Sequence, residues 1–317
     1  MSVSVSTTAR LHFGFLDPGG RSAEPFGSFG LSLDRPTTRL KLQRADAYAV
    51  TGPEAERAER YLKEIAASCG VDHAYRLHMD AVIPPHSGLG SGTQLALAVG
   101  SAFAALEGLK LLPLEIAGRL ARGARSGIGM ATFEVGGAVL DGGPVGGGLP
   151  ELVARVAFPD RWRALLIFDP TTKGLDGAKE IAAFDALPDF PSAETAELRE
   201  GIVQRALPAL TSQDFATFCA EVGNLQDKMG AYFAPTQGGG PYTSPHVTGI
   251  LDWLRREGIT GLGQSSWGPT GFAFTESEDA GQALLAAVRE RASGSPLRFE
   301  LAQGRNEGAE IEVQGGD

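Results

Sequence analysis

The chain has 317 residues and a formal net charge of −10 at pH 7, long enough for one or two packed domains and too acidic for non-specific nucleic-acid binding. No apolar run reaches the roughly 18–20 residues that a bilayer span needs. The start, MSVSVSTTAR, lacks the basic and apolar segments of a signal peptide, and the two isolated cysteines, Cys69 and Cys219, suit a reducing compartment. A cytoplasmic protein with no membrane and no nucleic-acid partner is therefore expected. An anionic small-molecule substrate remains compatible, provided arginines, main-chain N–H groups or a metal offset the overall field.

In chain order, Val3 and Val5, then Leu11, Phe13 and Phe15, alternate as strands do, and so does Phe29–Leu42 beyond a turn-rich loop from Asp17 to Ser28. Pro53–Ser68 predicts an amphipathic helix, with glutamates in its first turn and Gly70 beyond its end. Tyr75–Ile83 predicts a strand with Tyr75, Leu77 and Met79 on one face. An apolar helix follows to Leu106, then a helix over Leu114–Ala124 and a strand over Thr132–Leu140 inside a glycine-rich stretch. Strands are expected at 152–158 and 164–168. Helices are expected at 193–207, 212–229, 246–257 and 279–291, and strands near Leu262 and at 271–275 and 297–302. The tail, Arg305–Asp317, reads as a polar, loose segment. The best boundary falls near Pro159–Pro170, giving domains 1–160 and 161–317.

The most informative local feature is Gly88-Leu89-Gly90-Ser91-Gly92-Thr93, after a strand and before an apolar helix. Glycines let the backbone approach an anion, and the helix start presents free N–H groups and a positive dipole end. Ser87, Ser91 and Thr93 add hydroxyls, and His86 adds a donor or a charge. A P-loop is excluded because no lysine follows the glycines, and the dinucleotide fingerprint fails because Thr93 stands where its last glycine belongs. A second cluster, Gly261 to Gly271, sets Trp267 among glycines and serines and reads either as a cap on the core or as a second wall of the same pocket.

With these residues in view, Pro84-x-x-x-Gly88-Leu89-Gly90-Ser91-Gly92 resembles the central motif of the GHMP-kinase superfamily, and Gly263–Phe274 resembles its third motif. The resemblance covers nearly the whole chain. It implies an α+β fold: an N-terminal domain like ribosomal protein S5 domain 2, and a ferredoxin-like C-terminal domain. More narrowly, Arg10–Asp17, His86, Thr93-Gln94, Thr132–Gly137 and Gln264–Thr270 resemble the beta-ribofuranosylaminobenzene 5'-phosphate synthase family. That resemblance implies a decarboxylating phosphoribosyltransferase. It joins phosphoribosyl pyrophosphate to 4-aminobenzoate, or to 4-hydroxybenzoate in some members, with loss of CO2 and pyrophosphate, in tetrahydromethanopterin biosynthesis. It further implies Mg2+ and a homodimer.

On this resemblance Arg10, His12 and Asp17 are the catalytic candidates. His86, Ser87, Gly88, Leu89, Gly90, Ser91, Gly92 and Thr93, with Gln264, Ser265, Ser266 and Trp267, are the substrate-binding ones. Trp267, Phe13 and Tyr242 are candidates to flank the aromatic ring, and Asn224, Gln226 and Gln237 to line the site. No metal ligand is identified. Superfamily kinases often place a catalytic aspartate shortly after a Ser-Gly pair. Here Ser126-Gly127 leads to Gly129 at that place, a poor arrangement for activating a hydroxyl. An ATP-dependent small-molecule kinase and a non-catalytic ligand sensor on the same fold remain the alternatives.

Overall fold

The computed structural model describes residues 1–19, 26–144, 146, 148–174, 182–184 and 186–315. The chain opens with a long antiparallel pair, β1 (Ser2–Asp17) and β2 (Phe26–Ala45), whose register shifts at Thr8/Ala9 and at His12/Gly14. Such irregularities bend a strand and re-aim its side chains. β1 accordingly feeds two cores. Val3 and Val5 pack with the helices α1 (Ala55–Ser68) and α2 (Ser91–Glu107), whereas Leu11 and Phe13 pack with helices of the middle segment.

The first sheet adds β3 (Ala49–Thr51), β4 (Ala74–Ala81), β5 (Ala138–Asp141), β6 (Leu152–Val156) and β11 (Glu310–Gln314). Its order is β11-β1-β2-β4-β3, with β5 on β2 and β6 on β5. The short helices α3 (Pro113–Arg119) and α4 (Ile128–Val135) complete its helical side. The second sheet is antiparallel, in the order β10-β7-β9-β8, from β7 (Arg163–Phe168), β8 (Leu262–Gln264), β9 (Gly271–Thr275) and β10 (Arg298–Gln303). Helices α8 (Pro245–Arg256) and α9 (Glu278–Arg291) bury Leu251, Leu254 and Val288 against it. The middle segment holds α5 (Ser192–Glu200), a π-helical stretch (Gly201–Ala206), α6 (Leu207–Ser212) and α7 (Phe215–Phe233).

An aromatic cluster ties the two sheets together. Phe13 of β1 touches Phe272 and Phe274 of β9 at ring-centroid distances of 5.5 and 5.8 Å, and Phe218 of α7 at 6.4 Å. Tilted and edge-on pairs of this kind add about 0.5–1.5 kcal/mol each beyond burial. They fix the N-terminal strand, and what hangs on it, relative to the C-terminal sheet. Among the described residues no helix is long and apolar enough to cross a membrane.

Several expected elements differ. Thr132–Leu140 is not one strand: Ile128–Val135 is helical, and the strand begins at Ala138. An apolar segment buried on every side carries no period to separate helix from strand, and Gly136 and Gly137, at φ 60° and 79°, end the helix. The helix at 114–124 stops at Arg119, and Ala121 and Gly123 both take positive φ. The helix expected to end at Leu207 continues to Ser212 through the π-helical stretch. The tail is not loose through 315: Val3 pairs with Val313 and Val5 with Ile311, so main-chain hydrogen bonds hold a strand whose own side chains are exposed.

Candidate functional site

The glycine loop stands where two prolines end β4 and α2 begins. Gly88 and Gly90 take φ of 83° and 82°, a left-handed conformation open to glycine at little cost. α2 is alanine- and leucine-rich and buried on most sides, so its start is fixed by packing rather than by a side-chain cap. The loop is held by its carbonyls. The Arg10 N–H donates to Leu89 O (3.1 Å), the Arg10 guanidinium donates to Gly88 O, and Ser265 Oγ donates to the same Gly88 oxygen (2.8 Å). With the carbonyls taken up this way, the main-chain N–H groups from Ser87 to Thr93 have no protein acceptor among the described residues. Open amides ahead of a helix start form a cradle for an anion.

The C-terminal turn closes on this loop. A Cβ at Gly88 would stand 2.8 Å from Gly268 Cα and overlap the Ser265 carbonyl oxygen, so the two turns meet backbone to backbone. The Ser266 N–H donates to His12 O (3.0 Å), and the His12 N–H donates to Ser265 Oγ (3.1 Å). β1 thus carries the glycine loop at Arg10 and the C-terminal turn at His12, two residues apart.

Beside that junction lies a small aromatic cavity of about 40 Å³ lined by His12, Phe15, Phe184, Phe233, Ser266 and Trp267, with Gln226, Gln237 and Gln264 also in its lining. Trp267 stacks on Phe184 at 4.7 Å and meets Phe233 edge-on at 4.8 Å. Its Nε1 is buried and has no hydrogen-bond partner among the described residues. The Arg125 guanidinium lies 4.7 Å from the Phe184 ring.

His12 is buried, and burial first, with the Arg10 charge second, lowers its pKa to about 3, so the imidazole is neutral at pH 7. Nε2 is 3.1 Å from Ser126 Oγ, and Ser126 Oγ donates to Asp141 Oδ2 at 3.2 Å. This is not a nucleophilic triad, in which histidine stands between serine and carboxylate. Here serine is in the middle, and Asp141 also accepts from the N–H groups of Ser28, Gly127 and Gly143. Burial, the largest influence on Asp141, raises its pKa against those hydrogen bonds.

The candidates named from sequence separate into groups. His12, Ser266, Trp267 and Gln264 line the cavity, as do Phe13, Gln226 and Gln237. Arg10 and Ser265 act on the loop's carbonyls, and Leu89 is a core side chain whose exposed chemistry is its main chain. Ser87 Oγ donates to Pro84 O, and His86 and Ser87 line a second depression with Lys173 and Pro269 rather than the aromatic cavity. Asp17 is buried at the end of β1 and does not line the aromatic cavity. Tyr242 belongs to the C-terminal core, its hydroxyl accepting from Arg255 at 3.1 Å, and does not line the cavity. Asn224 is bonded to Glu197 at 3.4 Å instead.

Gly129 cannot take a side chain freely, since a Cβ there would stand 3.0 Å from Thr93 Cγ2. Arg57, Arg122 and Arg125, all near the loop or the cavity, were not signalled by any local pattern. Among the described residues no three His, Cys, Asp or Glu side chains converge as a metal site.

The chain matches the family described as GHMP kinases N terminal domain over residues 55–137, and GHMP kinases C terminal over residues 206–294. It is 32% identical to the beta-ribofuranosylphenol 5'-phosphate synthase of Archaeoglobus fulgidus, covering 97% of this chain and 98% of the relative. The protein of the same name from Methanothermobacter thermautotrophicus is 28% identical over 96% and 97% of the two chains. Among solved structures, homoserine kinase from Cytophaga hutchinsonii superposes with a TM-score of 0.68 at 18% identity, over 98% and 97% of the chains. A mevalonate 5-diphosphate decarboxylase gives 0.68 at 14% identity, over 99% and 97%. At such identities these structures speak for the fold alone.

Proposed function

The chain belongs to the beta-ribofuranosylphenol 5'-phosphate synthase family within the GHMP kinases, and on that premise we propose that it joins phosphoribosyl pyrophosphate to a para-substituted benzoate, 4-aminobenzoate or 4-hydroxybenzoate, releasing CO2 and pyrophosphate in tetrahydromethanopterin biosynthesis. The observation that carries the reading is the adjacency of an anion cradle and an aromatic cavity, two residues apart on β1.

The chemistry asks for what this arrangement offers. The anomeric carbon loses its bond to pyrophosphate and passes through oxocarbenium character. The open amides of the glycine loop and the α2 dipole suit a phosphate group of that substrate. The nucleophile is the ring carbon that bears the carboxylate. Its para amine or hydroxyl pushes electron density there, and loss of CO2 restores the aromatic ring, so no protein base has to remove a proton before attack. Phe184, Trp267 and Phe233 hold the ring and exclude water, which would otherwise trap the cation. His12 stays uncharged and adds no repulsion beside the cationic centre, and its Nδ1, buried and without a partner among the described residues, is assigned to a polar substituent of the ring.

Mg2+ is expected to accompany the substrate's diphosphate, because the described residues offer no preformed carboxylate cage. We take the enzyme to work as a homodimer. The deciding experiment supplies carboxyl-labelled 4-aminobenzoate and 4-hydroxybenzoate in parallel, each with phosphoribosyl pyrophosphate, and counts released CO2. A second arm supplies ATP and candidate alcohols. ADP formation without CO2 release refutes the synthase in favour of a kinase.

A further inference from the structure

Two arginines from separate elements meet at the helix side of the glycine loop. A Cβ at Gly92 would lie 2.6 Å from Arg57 Nη2 and 3.8 Å from Arg122 Nη1, so this glycine leaves room for guanidinium groups rather than for its own side chain. Both lie near the buried Tyr61 ring: the Arg57 Cζ is 5.9 Å from its centroid and the Arg122 Cζ is 5.2 Å. Arg57 also donates to the Tyr61 hydroxyl (3.3 Å) and has a 3.5 Å ion pair with Glu54. Arg122 has no carboxylate and no hydrogen-bond partner among the described residues, and its Nε is buried without one. Two like charges drawn to one point, one of them unneutralised, next to a run of open amides, make a place that is incomplete without a polyanion.

We propose that Arg57 and Arg122 are the specificity-determining residues for the diphosphate of phosphoribosyl pyrophosphate, so that the glycine loop holds the leaving pyrophosphate and the 5'-phosphate binds elsewhere. The inference rests on the synthase reading and deepens it. A diphosphate carries more charge than a phosphate monoester, and its charge grows as the reaction proceeds. When the bond from the anomeric carbon to oxygen breaks, its electron pair leaves on that oxygen, while the ring's electrons form the new carbon–carbon bond. The guanidinium groups stay protonated throughout, and their attraction to the leaving group strengthens with its charge.

The test titrates inorganic pyrophosphate and, separately, ribose 5-phosphate into the wild-type protein, Arg122→Gln and Arg57→Gln, with steady-state CO2 release alongside. Pyrophosphate affinity is expected to fall about tenfold or more in each variant, with ribose 5-phosphate within about twofold of wild type. KM for phosphoribosyl pyrophosphate should rise while KM for the benzoate does not, and Arg122→Lys should recover only part of the loss, because an ammonium lacks the fork. Should Arg57→Gln unfold through loss of its helix contacts, Arg122→Gln decides alone. Wild-type pyrophosphate affinity in Arg122→Gln, or a loss that appears with ribose 5-phosphate instead, overturns the assignment. A wild-type protein that releases no CO2 refutes the synthase reading, whereas normal turnover in both variants refutes this inference only.

Discussion

Gly88→Ala is the sharpest probe of the contact between the two turns. Gly88 has φ 83°, and its missing side chain leaves the space that the Ser265 carbonyl and Gly268 Cα occupy. Alanine there meets two costs. The left-handed conformation costs an L residue about 1–2 kcal/mol. Overlap with main-chain atoms, which cannot rotate away as a side chain can, adds about 1–3 kcal/mol. Gly108, at φ 68°, has nothing within 4 Å of its Cβ position, so Gly108→Ala isolates the first cost. At about 2.1 cal/mol/K per residue of unfolding entropy, a chain of this length loses roughly 1.5 °C of Tm per kcal/mol. Gly108→Ala is thus expected to lower Tm by about 2–3 °C and Gly88→Ala by about 3–7 °C, with urea midpoints shifting in the same order at constant m. Because relief of the overlap displaces the cradle, CO2 release should fall about a hundredfold in Gly88→Ala and stay near wild type in Gly108→Ala. Equal destabilisation of the two variants, or full activity in Gly88→Ala, would refute the reasoning.

Three other outcomes are expected. Trp267→Ala removes the ring stacked on Phe184, and should raise KM for the benzoate by about tenfold while KM for phosphoribosyl pyrophosphate stays within about twofold, as read by varying each substrate in turn. His12 has its folded pKa depressed to about 3, below the unfolded value, so its contribution to stability is complete above about pH 6.5 and is lost as pH falls from there towards 3. Unfolding free energies from urea titrations at pH 7, 5.5 and 4.5 should therefore fall less steeply in His12→Gln than in wild type, by up to about 1.4 kcal/mol per pH unit, and an unchanged slope would show that the imidazole is not held neutral. Gly129→Asp restores the carboxylate position of the superfamily's kinases but drives it into Thr93. It should destabilise the chain by about 1–3 kcal/mol and yield no ADP from ATP and candidate alcohols.

What could be read from sequence was local. The glycine loop and the turn around Trp267 keep their chemistry within short contiguous stretches, and the alternation of Tyr75, Leu77 and Met79 placed one buried face correctly. Ile128–Val135 resisted because complete burial removes the period that tells a helix from a strand. Glu310–Gln314 looked loose because its strand is secured by pairing with β1, while Ile311 and Val313 remain exposed. Arg57 and Arg122 were missed for a different reason. One sits on an amphipathic helix and the other in a glycine-rich turn, where a surface arginine looks the same, and only the fold brings both to Gly92. His86, beside the loop in sequence, takes φ 55° and lines the neighbouring depression rather than the aromatic cavity, a division that local sequence does not signal.

The fold that hosts kinases suits this transfer because of what the two reactions share and what they do not. Both need a polyphosphate held in place, and on the proposed reading the open amides from Ser87 to Thr93 serve that part. A kinase must also make an alcohol nucleophilic, and the place that the resemblance gives to its carboxylate is here Gly129, packed against Thr93. An electron-rich aromatic carbon needs no such activation, since its own substituent drives the attack and its own carboxylate departs to restore the ring. What it needs is a dry, flat wall within bonding reach of the anomeric carbon. On the proposed reading Trp267 and Phe184 form that wall, and the backbone junction at Gly88 sets its distance from the cradle. On this view the catalytic demand shifted from proton transfer to placement. The closeness of Ser265 and Gly268 to Gly88 then matters more to the rate than any single titrating side chain.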